Sequence, residues 1–379
     1  MCAVASGSVT ELVRVCIGGK GLPERAQWAA GMWVTFPAAL ADCVASADFE
    51  EPETRALAGR AAAQLRMLAA YTPSPPVSAR LPFSYRRVPG PVRRLLARGI
   101  GLAQWARRSA WARFPGWPID LSADVAADLA GGKRMSFART PVLLTHDIDS
   151  GEGLENLVRL FLPVEEAAGA RSANFIVPHA WPVDKALIQE AVGRGHEIGV
   201  HGYDHSNRTP FLASRDRRER LAAGKQFGSQ FGAVGYRAPS LLRTQELLGD
   251  LVPLYRYDSS IPTAGGLFPV PNNGCASARP WRIGDLWEIP ITLPRDGSLQ
   301  FLGYSPEAIA RLWQDAAQTM ARSGAIVTLL THCENGFTGN ARMLAAYRRF
   351  IESVAADERF EFVRPCDLVA SIAQAKEPV

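Results

Sequence analysis

Six histidines occur in 379 residues, and four of them, His146, His201, His205 and His332, fall at or just after the ends of short apolar runs. Asp147 and Asp149 follow the first of these runs, two residues apart, in Leu144-Thr145-His146-Asp147-Ile148-Asp149. If an extended chain continues through them, both carboxylates point to one side. His201 and His205 stand four apart. That spacing places two imidazoles on one face of a helical turn, where both nitrogens could meet one metal ion. An Asp with two His leaves a coordination position open for water, which hydrolytic metal sites need. Singly, each signal is weak: HxxxH arises by chance on surface helices, and Asp commonly caps turns. Together, sparse histidines and paired carboxylates at successive run ends point to a metal site.

The elements that must position these residues are legible from about residue 140. PVLLTHD, SANFIV, HEIGVHG, AVGYRAP, LWEIPI, AIVTLLTH and FEFVRP read as buried strands. Helical stretches separate most of them, at 153–168, 183–194, 213–231, 306–322 and 340–355. Strands alternating with helices over such a length imply a mostly parallel sheet, open or closed into a barrel. Active sites of barrels sit at the carboxyl ends of the strands, where the histidines cluster.

The remainder of the chain is different. Residues 1–75 are Ala-rich, with helical spacing of Leu57, Ala61, Leu65 and Leu68, so an N-terminal helical extension is expected there. A Pro-rich run at 72–82 ends it. A basic linker or amphipathic segment follows over 76–139, and the catalytic unit spans 140–375. The net charge is +5, yet 80–119 holds nine Arg and no Asp, Glu or Lys, leaving the rest of the chain slightly acidic. Arg interleaved with Leu and Trp suits either a solvated helix paired to acidic neighbours or an anionic membrane surface. No recognised nucleic-acid module accompanies the Arg residues, so no nucleic-acid partner is expected. The six Cys are scattered without CxxC, no signal-peptide pattern opens the chain, and no apolar window is long enough to span a bilayer. A cytoplasmic protein with reduced thiols is the expectation. Cys333 reads as a packing residue. His146 either supports a carboxylate by hydrogen bonding or packs; His179 and His196 take no role.

In order and spacing, several segments resemble the polysaccharide deacetylase (NodB-homology) family. They are Thr145-His146-Asp147-Ile148-Asp149, Gly199-Val200-His201-Gly202-Tyr203-Asp204-His205, Gly235-Tyr236-Arg237-Ala238-Pro239-Ser240, Tyr257-Asp258-Ser259-Ser260, Leu286-Trp287-Glu288-Ile289-Pro290 and Leu329-Leu330-Thr331-His332. The resemblance covers about residues 140–375. It implies an α/β fold, a distorted (β/α) barrel, and one divalent metal, usually zinc, held by Asp149, His201 and His205. It further implies Asp147 as catalytic base, Arg237 as its orienting partner and His332 as general acid. Trp287 and Pro290 would line the pocket near His332, and the backbone N–H near Ser240 would meet the oxyanion. The expected reaction is hydrolysis of an N-acetyl or N-formyl amide on an amino sugar or glycan precursor, lipid-linked or phosphorylated forms included. Its setting would be surface-polysaccharide biosynthesis at the cytoplasmic membrane face. A non-sugar amide or imide substrate, or a silent carbohydrate-binding descendant, are the alternatives.

The pattern also departs from the family. Ile148 separates carboxylates that are usually adjacent, a DxD form similar to a divergent branch that includes lipid-linked sugar deformylases. Gly202 stands where Ser or Thr is usual, Ser240 replaces an aromatic residue, and Cys333-Glu334-Asn335-Gly336 follows His332.

Overall fold

The structure is a computed structural model and describes residues 12–16, 33–37, 75–81, 88–108, 124, 135, 137–263 and 277–374. Two N-terminal strands, β1 (Leu12–Cys16) and β2 (Trp33–Pro37), pair antiparallel. The N-terminal extension therefore contains strand where helix was expected; the helix read around Leu57–Leu68 lies outside the described residues.

The main sheet has nine strands. In chain order they are β3 (Thr140–Ile148), β4 (Ala173–Ile176), β5 (Glu197–His201), β6 (Gly235–Arg237), β7 (Tyr257–Asp258), β8 (Trp281–Ile283), β9 (Leu286–Glu288), β10 (Val327–His332) and β11 (Phe360–Phe362). Spatially the path is β10-β3-β4-β5-β6-β7-β9-β8, with β11 on the start of β3; every pair is parallel except β8 with β9. Strands of such a sheet are covered on both faces, which is why β3 runs buried from Pro141 to Ile148 without polar alternation. Beyond β9 the chain turns back onto β10, where the Thr292 and Leu293 N–H groups both donate to the Thr328 carbonyl at 3.2 Å. This contact curls the sheet towards a barrel and brings its first and last strand ends around one cleft.

The expected helices occur close to their sequence bounds, as Lys185–Gly193, Ser214–Ser229, Pro306–Ser323 and Ala341–Ala355. Pro306–Ser323 shows why. Ser305 caps it by accepting from the Ala308 N–H at 3.2 Å, Pro306 opens it, and Gly324 ends it at φ 65. Ile309, Trp313, Ala316 and Met320 recur on its buried face, each large side chain adding roughly 1.5–3 kcal/mol of burial. The helix expected at 153–168 is broken by a π-helical turn, Leu157–Phe161, a feature that frequently accompanies functional sites. No helix among the described residues is long and apolar enough to cross a membrane.

Candidate active site

Asp147 lies near the end of β3, where it pairs in register with His332 at the end of β10. Its Oδ1 accepts from Arg237 Nη1 at 3.0 Å. Arg237 is wholly buried, packed 4.1 Å from the Phe175 ring, and its other donors are also committed. Nε donates to the Ser259 carbonyl and Nη2 to the Ser259 hydroxyl, both at 2.8 Å, while Nη1 also reaches Thr145 Oγ1 at 3.1 Å. A fork held at three corners points its fourth at Asp147. Burial would raise the Asp147 carboxyl, but positive charge beside it, from His201 when protonated and from Arg237 and His332, outweighs burial and holds the group below the ordinary aspartate range. Asp147 is therefore both ionised and buried.

Asp149, His201 and His205 face one another. His201 Nε2 is 3.6 Å from Asp149 Oδ1, and His205 Nε2 is 3.3 Å from Asp149 Oδ2. One ligand atom from each lies within 4.8 Å of the others, and among the described residues this is the cluster with metal-ligand spacing. His201 Nδ1 lies 3.0 Å from the Arg237 carbonyl. A carbonyl only accepts, so that nitrogen carries the proton and Nε2 offers its lone pair to the cluster. The donor set of two imidazoles and a carboxylate fits a divalent cation with a position left for water.

The helical turn expected for the His pair is not what joins them. His201 is the last residue of β5; the chain then reverses through Gly202 at φ 65 and His205 at φ 54. Only glycine fits the first position, because its φ is left-handed and an added Cβ would sit 2.4 Å from the Pro239 ring. His205 accepts the same strained region, at a cost of order 1–3 kcal/mol that the surrounding structure must offset.

On the adjacent strand β10, His332 Nδ1 contacts Asp296 Oδ1 at 2.9 Å, and the His332 N–H donates to Asp296 Oδ2 at 2.8 Å. Thr338 Oγ1 donates to the same oxygen at 2.8 Å. Burial alone would lower the histidine, but the Asp296 carboxylate overrides it and carries its pKa up to about 10. His332 is thus a cation at neutral pH. Phe337 stacks on its ring at 4.7 Å.

Asp296 opens a short helix, Asp296–Phe301, and the sequence reading missed it. Trp287 and Pro290, expected beside His332, stand well before Asp296 on the same run of chain. That run pairs Thr292 with Thr328 and reaches the level of His332 only at Asp296. Trp287 instead packs with the Leu143, Tyr257 and Ile289 cluster, and the Arg282 guanidinium lies 5.5 Å over its ring. The stagger of the strands, invisible in a linear motif, causes this correction. Ser240 is exposed on a turn where both it and Leu241 have positive φ, at 54 and 57.

Two further residues join the site without a sequence signal of their own. Glu334 Oε1 accepts from the Asp149 N–H at 3.0 Å and from the Ser150 hydroxyl at 2.9 Å, and burial pushes its carboxyl up to about 7. Arg295 is half-buried next to Asp296 and feels the charges of Asp147, Asp296 and Arg237. His146 points away from the cleft, to Glu165 at 2.7 Å and Thr331 at 2.8 Å. It supports a carboxylate, but one in the core. Cys333 is buried in the main core cluster with its thiol pushed up by burial, which suits packing.

Residues 135–241 match the family model for polysaccharide deacetylase. No curated protein matches the chain. In fold the chain is similar to a protein named as a polysaccharide deacetylase from Mycobacterium smegmatis, with 20% identity and a TM-score of 0.50 over 64% of this chain and 94% of that one. It is also similar to the Puue allantoinase, with 16% identity and a TM-score of 0.50 over 66% and 96%. The matched residues span the strand that carries Asp147, the turn that carries His205 and the strand that carries Arg237, so the part of the chain that holds the site matches the polysaccharide deacetylase model in sequence, and its fold is similar to that of a protein named as a polysaccharide deacetylase.

Proposed function

We propose that this protein removes an N-acetyl or N-formyl group from an amino sugar or glycan precursor, using one divalent ion, zinc in the first instance, bound by Asp149, His201 and His205. The observation that carries the reading is the pairing, at the ends of the adjacent strands β3 and β10, of an ionised Asp147 anchored by Arg237 with a protonated His332 anchored by Asp296. Opposite protonation states at neutral pH are what amide hydrolysis requires. Asp147 takes the proton of a water as its oxygen adds to the acyl carbon. His332 gives its proton to the sugar nitrogen, which is too basic to depart as an anion. The C–N bond breaks, leaving an amine and a carboxylic acid. The bound ion supplies Lewis acidity at the carbonyl and lowers the pKa of water. The exposed Ser240 turn would form the wall against which the acyl group rests, and a backbone N–H there would serve the oxyanion.

The finer reading is a lipid-linked or phosphorylated substrate, of the kind handled by the DxD branch, met at the cytoplasmic face of an anionic membrane. The helix Gly90–Arg108 supports it. Val92, Leu95, Leu96, Ile100 and Leu102 are exposed on this helix, which carries Arg residues and no acid. It lies against Asp296–Phe301, the helix that begins at the site. Arg295 would add a positive charge for a phosphate beside the cleft.

The test is release of acetate or formate from soluble, phosphorylated and lipid-linked N-acyl amino sugars, with chelator and metal replacement as controls. If metal-loaded protein cleaves none of them but opens a cyclic imide or ureide, the non-sugar amidase replaces this reading. If it only binds glycan, the silent binding protein does.

A further inference from the structure

Two carboxylic acids of the sequence motifs, Asp258 and Glu288, take no part in the site above. They end β7 and β9 and are register partners in a parallel pair, so their side chains leave the same face at adjacent strands, ~4.8 Å apart. Asp258 is also the partner of Tyr236, whose side chain packs outward among Leu221, Leu247 and Leu251. The acids therefore lie behind the sheet, on the opposite face from Arg237. Both are wholly buried.

Their hydrogen bonds locate a proton. Asp258 accepts twice from Ser260, at Oδ1 from the hydroxyl at 2.7 Å and at Oδ2 from the N–H at 3.2 Å. Glu288 Oε1 accepts from the Ile261 N–H at 2.9 Å, but among the described residues no donor reaches Oε2. A buried carboxylate oxygen without a donor is costly, and two ionised carboxylates side by side cost more. A hydrogen on Glu288 Oε2, donated to Asp258, removes both penalties.

We infer that Glu288 is a neutral carboxylic acid hydrogen-bonded to an ionised Asp258, and that this acid pair is the positioning unit that keeps Arg237 on the catalytic base. Asp258 holds the Ser260 hydroxyl, which accepts from the Ala238 N–H at 2.8 Å, the residue after Arg237. Glu288 holds Ile261, so the turn between them is strung from both acids. That turn presents the Ser259 carbonyl and hydroxyl that grip Arg237. A second negative charge behind Arg237 would compete with Asp147 for the guanidinium. Burial and then the Asp258 charge push Glu288 well above the usual carboxylate range, in the sense the geometry requires. The charged and titratable groups that face the pair are Arg243 at Glu288, and Arg237 and Tyr236 at Asp258.

Infrared spectroscopy of the full-length metal-loaded protein reads the proton directly. At neutral pH the wild-type minus Glu288→Gln difference should lose a protonated-carboxyl C=O band that shifts in D2O. Loss of a carboxylate band instead overturns the proton assignment. Kinetics read the positioning and rest on the proposed deacylase activity. Glu288→Ala should lower kcat by about 10²-fold, the scale of an ångström's misplacement, with KM and metal content unchanged. Glu288→Gln, which keeps a donor towards Asp258, should recover most of that loss. Equal activity of Ala and Gln variants overturns the positioning role. If Glu288→Ala does not fold, a Gln variant as impaired as Arg237→Ala overturns it in the same way. If the wild type hydrolyses no N-acyl sugar, the proposed activity fails while the infrared result still decides the proton.

Discussion

On one side of the cleft Asp147, His201 and Arg237 stand at the ends of neighbouring strands, each fixed by the backbone ladder of the sheet. On the other, His332 also ends a strand, yet its orientation and charge come from Asp296, which belongs to no strand and is delivered by the curl of the chain after β9. The base side is distributed: Arg237 is gripped by Thr145 and by the carbonyl and hydroxyl of Ser259, and the Ser259 turn is itself strung from Asp258 and Glu288. The acid side hangs on a single carboxylate that serves the His332 ring, its N–H and Thr338 together. The first side depends on a chain of supports behind Arg237, and the second on one carboxylate beside His332.

The largest effects should come from the base side. Asp147→Asn should lower kcat by about 10²–10⁴-fold, the usual worth of a general base, while metal content by elemental analysis stays near wild type. His205→Ala should lose both metal and turnover. A variant that kept its metal would remove His205 from the donor set.

Next comes Asp296→Asn, which separates the two sides. Without its carboxylate partner, His332 should fall from about 10 towards the ordinary histidine value of about 6.5. His332 must be protonated to act, so the alkaline limb of the kcat profile should move to lower pH, with the acid limb unchanged. The linkage has the same sign. A histidine raised in the folded state stabilises fully below about 6.5, and that stability is lost as pH rises through about 10. Unmoved titration in the variant, followed by NMR, would show that another group sets the His332 charge.

Gly202→Ala should be milder. A left-handed φ and the Pro239 ring oppose the methyl, so stability should fall by about 1–3 kcal/mol in denaturant unfolding, with weakened metal affinity because the turn carries His205. The smallest effect on chemistry should follow Leu95→Glu with Leu96→Glu. Turnover of a soluble substrate should hold, while co-sedimentation with anionic vesicles falls. Equal sedimentation with anionic and neutral vesicles in the wild type would remove the membrane role from the basic helix.

Much of the base side was legible because local rules produce it. A buried strand is an apolar run whatever its neighbours, and the residues at its end must enter the cleft, so Asp147, Asp149, His201, His205 and Arg237 could be named from spacing and motif. Asp296 could not, because only the hydrogen bonds of Thr292 and Leu293 to Thr328 set the stagger that brings it to His332. Trp287 was misjudged for the same reason. Glu334 contacts Asp149 across a separation of 185 residues, a pairing no local pattern encodes. The His201–His205 spacing was read correctly as a pair and wrongly as a helix, since HxxxH fixes the separation along the chain and leaves the path open.

The sequence by itself therefore determined the strand–helix alternation, the candidate residues that the strand ends bring together and the strongly basic segment that precedes them. Tertiary structure alone decided which charge each group holds: neighbouring positive charge, Arg237 included, keeps Asp147 ionised against its burial, Asp296 keeps His332 protonated, and register beside Asp258 keeps a proton on Glu288. The physical reason is that side-chain type sets only a reference pKa, while desolvation and neighbouring charge, which exist only once the chain has folded, set the protonation state that acts.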